Sequence, residues 1–476
     1  MQVSNNAISF GTDGWRAVIA EDFTFANVGI VAQATADYWK KKRPRGIPKK
    51  VVIGYDRRFL ADQFADRVAE VFLGNNFEVV LADSPVPTPS VSFAVKSEKA
   101  VGGVVLTASH NPARFCGYKL KGYFGGSVSS EICESVEKLI AVNPVRSLNF
   151  KSAKSKGLLK IKNLHSSHYK SLCKLINFDL IAKSNLRFAH DALFGVGAGV
   201  FEKILDGTSC KVTTLNSEHD PFFGGINPEP VYHNYAPSAA YLKKNPHDIC
   251  LVTDGDADRV GGMDGRGNAL TTHQIICLLL YHYVVNKKQK GRVIKALTTT
   301  SMVDRMCEVY GIQLVETGVG FKYVCDEMRK GDVLLGFEES GGIGFSGHIP
   351  ERDGILAGLV LLELLATEKK TVIRLLSELE KIFGSHCYDR LDMRFPLEKR
   401  KSLMKYCKNN PPSSLAGSKL QEVKTFDGVK YIAKDGSWLM LRGSGTEPVL
   451  RIYAESRSDK KAQQLIRLGV KQTKLL

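Results

Sequence analysis

Short apolar runs that stop at polar or Gly/Pro-containing loops recur along this chain. Residues 51–56, 77–82 and 101–106 have the form of buried strands, and residues 62–73 carry helical spacing between the first two. The same strand pattern returns at 186–189, 211–215 and 249–252, and a third time at 292–297, 313–316 and 333–337. Strand, loop and helix in repetition predict α/β layers with parallel sheets. In such sheets ligands bind beyond the carboxyl ends of the strands. The last part of the chain is patterned differently. Residues 431–433 and 437–441 flank Asp435-Gly436 as a hairpin would, 449–454 reads as another strand and 460–470 as a helix. These predict a smaller α+β domain in which 409–414 is a loop. The basic stretch 143–162 is the first expected domain boundary.

Composition narrows the class. A length of 476 residues accommodates roughly three or four domains. The apolar run 355–366 is too short to span a membrane and reads as a buried helix. Residues 1–6 lack the charged start and apolar core of a signal peptide. A cytoplasmic protein without a membrane partner is expected. Ten cysteines form no Cys-x-x-Cys pair, which predicts free buried thiols rather than disulfides or a zinc site. The net charge is +17, with Lys/Arg-rich stretches at 40–50 and 151–183. These charges are dispersed, not interleaved with an aromatic platform, and no nucleic-acid-binding motif accompanies them. A solvated basic surface that attracts anionic metabolites is expected, with no nucleic-acid partner.

Four loops carry candidate chemistry. Thr107-Ala108-Ser109-His110-Asn111-Pro112 places a hydroxyl directly after a predicted strand. Serine is a poor nucleophile without a base or a cation. His110 is adjacent, but neighbours usually point apart; Lys119 could return to the site as a cation or an acid. Ser-His-Asn-Pro is also ordinary turn chemistry. Asp254-Gly255-Asp256-Ala257-Asp258-Arg259 places carboxylates at alternate positions after the next layer's strand, where they can converge on a hard cation such as Mg²⁺. An EF-hand is excluded, because Arg259 and Gly265 stand where its loop needs Gly and Glu. Glu338 and Ser340, two apart, could grip vicinal sugar hydroxyls, although Glu-rich turns are common. Arg442-Gly443-Ser444-Gly445-Thr446-Glu447-Pro448 offers backbone N–H groups, hydroxyls and a guanidinium to an anion, or serves as a glycine-rich hairpin connection.

With Phe10-Gly11-Thr12-Asp13-Gly14-Trp15-Arg16, Gly320-Phe321-Lys322 and His348-Ile349-Pro350-Glu351-Arg352-Asp353-Gly354, these motifs resemble, in order and over nearly the whole chain, the α-D-phosphohexomutase family. The resemblance implies four domains around a deep cleft. Three are related mixed α/β domains and the last is an α+β domain of TATA-binding-protein-like shape, expected at 1–150, 151–265, 266–384 and 385–476. It implies Ser109 as the phosphoserine, with His110 and Lys119 beside it in catalysis. It further implies Asp254, Asp256 and Asp258 as Mg²⁺ ligands together with the seryl phosphate. Glu338 and Ser340 match the sugar contacts; Arg442, Ser444, Gly445 and Thr446 match the site of the non-transferred phosphate. Arg16, Arg259, Lys322, His348, Arg352 and Arg451 are the remaining expected substrate contacts. Members of the phosphomannomutase and phosphoglucosamine types usually end the sugar loop in Ser-Gly-His, whereas Gly342 stands here. The resemblance therefore points to interconversion of glucose 1-phosphate and glucose 6-phosphate, with hexose 1,6-bisphosphate as activator. Phosphomannomutase, dual, phosphoglucosamine mutase and non-catalytic sensor readings are the alternatives. Small hexose phosphates are the expected partners, and a monomer or weak homodimer the expected state.

Overall fold

The strand expected at 101–106 lies at the centre of a six-stranded sheet. The computed structural model describes residues 8–11, 13–443 and 448–474. In that sheet Gly102–Leu106, Lys50–Tyr55, Glu78–Ala82 and Leu159–Lys162 run parallel in this order. The basic stretch 143–162 thus supplies its edge strand, preceded by the helix Phe150–Ser155. The helix Ala61–Gly74 buries Phe64, Val68 and Phe72 against Val51, Ile53 and Val104.

The sheets are mixed rather than wholly parallel. Phe115–Gly122 returns antiparallel to Gly102–Leu106, and Trp15–Val18 pairs antiparallel with it in turn. The second sheet repeats the plan. Arg187–Asp191, Lys211–Leu215 and Ile249–Thr253 are parallel, and Val260–Asp264 turns back along Ile249–Thr253. In the third layer Ile343–Phe345 turns back along Val333–Phe337. The reason is connection length. The loops 107–114, 254–259 and 338–342 are shorter than the roughly dozen residues a parallel crossover needs, so the chain can only reverse. Each candidate loop of the α/β layers is therefore a hairpin connection at the carboxyl end of a buried strand.

The chain divides into two compact units, Met1–Ile294 with Gly320–Val372, and Lys295–Val319 with Ile373–Leu476. The crossing falls inside the strand Arg292–Ala296, so the third layer contributes to both. Within the first unit, Gly354–Glu368 is the expected buried helix: apolar on all sides, with Asp353 Oδ1 accepting the Ile355 and Leu356 amides at 3.0 and 2.9 Å as its N-cap. The second unit contains a six-stranded sheet, ordered Cys387–Arg394, Val449–Ser456, Trp438–Gly443, Val429–Ala433, Ser418–Lys424 and Ser414–Leu415. The expected Asp435-Gly436 hairpin is present, with Gly436 at φ 83. Leu403, Tyr431, Leu439, Leu441, Ile452 and Leu465 form its core. All ten cysteines are free thiols. No helix among the described residues is long and apolar enough to cross a membrane.

Candidate active site

Ser109 is fully buried and adopts the left-handed conformation, φ 53, at the head of the first hairpin loop. Its amide donates to Thr107 Oγ1 at 2.9 Å and its hydroxyl donates to Asp254 Oδ2 at 2.8 Å. A serine from one layer thus meets the carboxylate triplet of the next. Asp254 Oδ1 accepts the amides of Asp258 and Arg259 at 3.0 and 3.1 Å, which folds the second loop around that carboxylate. Ala257 takes a left-handed φ of 56 within the turn.

One carboxylate oxygen from each of Asp254, Asp256 and Asp258 lies within 4.8 Å of the other two, and all three residues are completely buried. Lys119, on the returning strand, is also completely buried and donates to Asp256 Oδ2 at 2.8 Å and Asp258 Oδ2 at 3.0 Å, with Asp13 at 2.9 Å. Arg352 Nη2 donates to Asp258 Oδ2 at 2.7 Å and Asp13 Oδ2 at 2.5 Å, while its Nη1 donates to Glu338 Oε1 at 3.1 Å. Ser340 donates to the same Glu338 oxygen at 2.8 Å. One connected network therefore joins the serine, the carboxylate triplet and the Glu338–Ser340 pair.

Charge distribution follows from this packing. Burial, then repulsion from Asp256 and Asp258, drives the Asp254 carboxyl well above the usual range. Burial also opposes ionisation of Asp256, but Lys119, by charge and hydrogen bond, prevails with Thr88 and holds it low. Burial works against the Lys119 charge, but Asp13, Asp256 and Asp258 outweigh it and raise its affinity for the proton. His110 Nδ1 stands 3.5 Å from Ser109 Oγ; burial, then Arg259 and Arg16, hold its imidazole well below the ordinary value and therefore neutral. Asp256 Oδ1 and Asp258 Oδ1 are buried without a hydrogen-bond partner. Two unsatisfied carboxylate oxygens in a buried cluster of three aspartates fit the demand of a small hard divalent cation for oxygen ligands.

The other expected residues are placed as follows. Arg16 donates to Asn111 Oδ1 in the serine loop at 2.6 Å. Arg259 Nε lies 4.0 Å from Asp254 and 3.9 Å from Asp258. Lys322 rests over the ring of its neighbour Tyr323 at 5.2 Å. The His348 side chain is only 1% exposed and bonds Asp353 Oδ2 at 3.0 Å, which His168 also contacts at 2.8 Å, so His348 belongs to a helix-capping cluster. In the second unit, Arg442 Nε donates to both Asp427 oxygens at 3.1 Å and Arg451 Nε to Asp392 Oδ2 at 3.3 Å. Ser444, Gly445 and Thr446 lie outside the described residues. Sequence reasoning missed Asp13, Asp56, Arg58, Thr88, Lys121 and Glu351 as members of this network. Thr88 donates to Asp256 Oδ2 at 2.6 Å, and Lys121 donates to Glu351 Oε2 at 2.5 Å. Asp13 and Glu351 lay within motifs named above; Asp56, Arg58, Thr88 and Lys121 carried no local signal.

A buried serine on a carboxylate triplet, flanked by fixed cations, is equipped to bind and move a phosphoryl group. Comparison with known proteins agrees. The chain matches, in order, phosphoglucomutase/phosphomannomutase α/β/α domain I over residues 7–145, domain II over 166–267, domain III over 272–383 and the C-terminal domain over 395–467. It belongs to the phosphoglucomutase/phosphomannomutase family, within the α-D-phosphohexomutases. It is accordingly an enzyme of the isomerase type that acts in carbohydrate chemistry. A phosphoglucosamine/phosphogalactosamine mutase of Sulfurisphaera tokodaii is 29% identical over 96% of this chain and 97% of its own. A phosphoglucomutase of Komagataeibacter xylinus is also 29% identical, over 95% and 88%. A crystal structure of a provisionally named phosphomannomutase from Thermus thermophilus superposes with a TM-score of 0.86 at 34% identity, covering 98% and 99% of the two chains.

Proposed function

We propose that the protein interconverts glucose 1-phosphate and glucose 6-phosphate, with Ser109 as phosphoryl carrier and a hexose 1,6-bisphosphate as intermediate and activator. The observation that carries this reading is the 2.8 Å hydrogen bond from Ser109 Oγ to Asp254 inside a buried carboxylate triplet. Phosphorylated Ser109 transfers its phosphoryl group to the free hydroxyl of the bound sugar phosphate. The bond from phosphorus to serine oxygen breaks as the bond to the sugar oxygen forms. Neutral His110, 3.5 Å from Ser109 Oγ, relays the proton lost by the sugar hydroxyl to the departing serine oxygen, and carries it back in the second half-reaction. The second half-reaction returns the other phosphoryl group to Ser109. Asp254, Asp256 and Asp258 would hold Mg²⁺, which when bound neutralises charge on the transferring group.

Lys119 keeps its proton and acts as a fixed charge rather than as a base. Glu338 and Ser340, tied to each other and to Arg352, orient the sugar hydroxyls. Arg442 and Arg451, with Ser444, Gly445 and Thr446, grip the non-transferred phosphate, and Arg16, Arg259 and Lys322 complete the cationic surroundings of substrate. The glucose preference is supported by Gly342 and by the His-Ile-x-Glu-Arg-Asp-Gly segment at 348–354. A wider range that includes mannose or glucosamine phosphates is favoured by the names of the relatives, which span all three sugars.

The test is a coupled assay with Mg²⁺ and a trace of glucose 1,6-bisphosphate on glucose 1-phosphate, mannose 1-phosphate and glucosamine 1-phosphate. A glucose preference that vanishes in Ser109→Ala is expected. Equal turnover of all three sugars would remove the glucose assignment, and turnover by Ser109→Ala would remove the phosphoserine.

A further inference from the structure

We infer that Arg58 is the positioning residue that sets the Ser109 loop for phosphoryl transfer, an inference that rests on the mutase reading. Its side chain is completely buried, and each of its five N–H groups has an acceptor. Nη2 donates to the carbonyls of Ser109 and Asn111, both at 2.7 Å. Nη1 donates to the carbonyls of Pro112 and Phe115 at 2.9 and 3.0 Å. Nε donates to Asp56 Oδ2 at 3.1 Å. The same Asp56 oxygen accepts the Thr107 hydroxyl at 2.5 Å, and Thr107 Oγ1 in turn accepts the Ser109 amide. The peptide groups on both sides of Ser109 are thus fixed: its N–H through Thr107 and Asp56, its C=O directly by Arg58.

The arrangement answers a specific need. Ser109 holds a left-handed φ of 53, a strained conformation for an L-residue with a side chain, which persists only where surrounding contacts impose it. Without an external clamp the loop would relax and carry Oγ off its bond to Asp254. One planar guanidinium spanning the carbonyls of Ser109, Asn111, Pro112 and Phe115 supplies that clamp. The Phe223 ring, 4.9 Å from the guanidinium carbon, covers its face and keeps water from competing for the carbonyls. Lysine carries the same charge but has three N–H donors on a single atom, so it cannot reproduce the five-point grip. Arg58 makes no hydrogen bond to the carboxylate triplet; its hydrogen bonds reach the loop through four backbone carbonyls and, by way of Asp56, the Thr107 hydroxyl.

The experiment compares wild type, Arg58→Lys, Arg58→Ala and Thr107→Val. Steady-state kinetics on glucose 1-phosphate, transfer of ³²P from labelled glucose 1,6-bisphosphate to the protein, and hydrogen exchange of the 107–115 amides are the readouts. Misplacement of a reacting atom by about 1 Å costs roughly 10²-fold, so Arg58→Lys is expected to lose about that factor in kcat with KM changed less than about threefold. Thr107→Val, nearly isosteric, is expected to lose less in the same parameter. Amide exchange at Ser109 is expected to rise in both, and 10–50 mM guanidinium (a range of order ~10² below denaturing molar levels) is expected to restore part of the kcat of Arg58→Ala. Wild-type kcat in Arg58→Lys, or unchanged kcat and loop exchange in Thr107→Val should Arg58 variants not fold, overturns the inference. Wild type that takes no label from the bisphosphate overturns the mutase reading instead, and loop exchange then still decides whether Arg58 holds Ser109.

Discussion

The Arg352 side chain crosses Gly342 so closely that a Cβ built at 342 would lie 2.2 Å from Arg352 Cδ and 3.1 Å from Glu338 Oε1. The bare backbone at 342 is therefore what lets this guanidinium reach Glu338, Asp258 and Asp13 together. Gly342→Ala is expected to displace Arg352, to destabilise by ~1–3 kcal/mol through overpacking, and to lower kcat/KM by about tenfold or more. A double-mutant cycle measures the coupling. Added to Arg352→Ala, Gly342→Ala should cost little further activity; additive losses would show that the two residues act separately.

Replacement of Ser109 by alanine removes one hydroxyl and one hydrogen bond to Asp254. Turnover and protein-bound phosphate, read by intact mass, are expected to vanish, while the melting temperature stays within a few degrees of wild type.

The two partnerless oxygens of Asp256 and Asp258 make a cation prediction. Saturating Mg²⁺ is expected to raise the melting temperature of the purified protein, by the equivalent of about 2.7 kcal/mol at a hundredfold excess over Kd. Asp256→Asn should lose most of that shift in a thermal melt, and chelation should abolish turnover. An equal Mg²⁺ shift in the variant would refute binding at the triplet.

His190 supplies a pH prediction outside the carboxylate triplet. It is completely buried beside Thr253, which its Nε2 meets at 3.0 Å, and burial pushes its pKa down to about 3. The unfolded chain binds this proton near pH 6.5, the folded chain only near 3. Stability is therefore present in full above about 6.5 and falls as pH drops toward 3, by at most ~1.4 kcal/mol per unit from this group. His190→Gln should flatten that part of a melting-temperature profile between pH 4 and 6.5.

Arg442→Ala tests the proposed role of Arg442 in phosphate binding. Loss of a charge-assisted hydrogen bond worth about 1.5–3 kcal/mol would raise KM by roughly ten- to a hundredfold, with kcat less affected. A change confined to kcat would place Arg442 outside ground-state phosphate binding.

Much of this was legible in the residues. Ser109 and the aspartates announce themselves because polar side chains able to carry phosphate or a cation follow directly on apolar strands. The helix 354–368 is legible because it is apolar on every side. The returning strand Phe115–Gly122 is not, since Lys119 and Lys121 break the apolar pattern yet are fully buried. Their burial depends on Asp256 and Glu351, 137 and 230 positions away, and no local pattern records such partners. Arg58 was hidden for the same reason, because its partners are mostly backbone carbonyls, which every sequence possesses. The antiparallel edges follow from loop length, a property that strand patterning alone does not weigh.

The reversal of the chain at each reactive loop also bears on how the molecule folds. A hairpin closes a short loop, so Gly102–Leu106 with Phe115–Gly122 is a local contact that forms at small entropic cost. Lys119 and Lys121 on that hairpin can shed water only when their distant carboxylates arrive. The burial of these two lysines is therefore tied to the meeting of the layers and not to the closing of the hairpin that carries them.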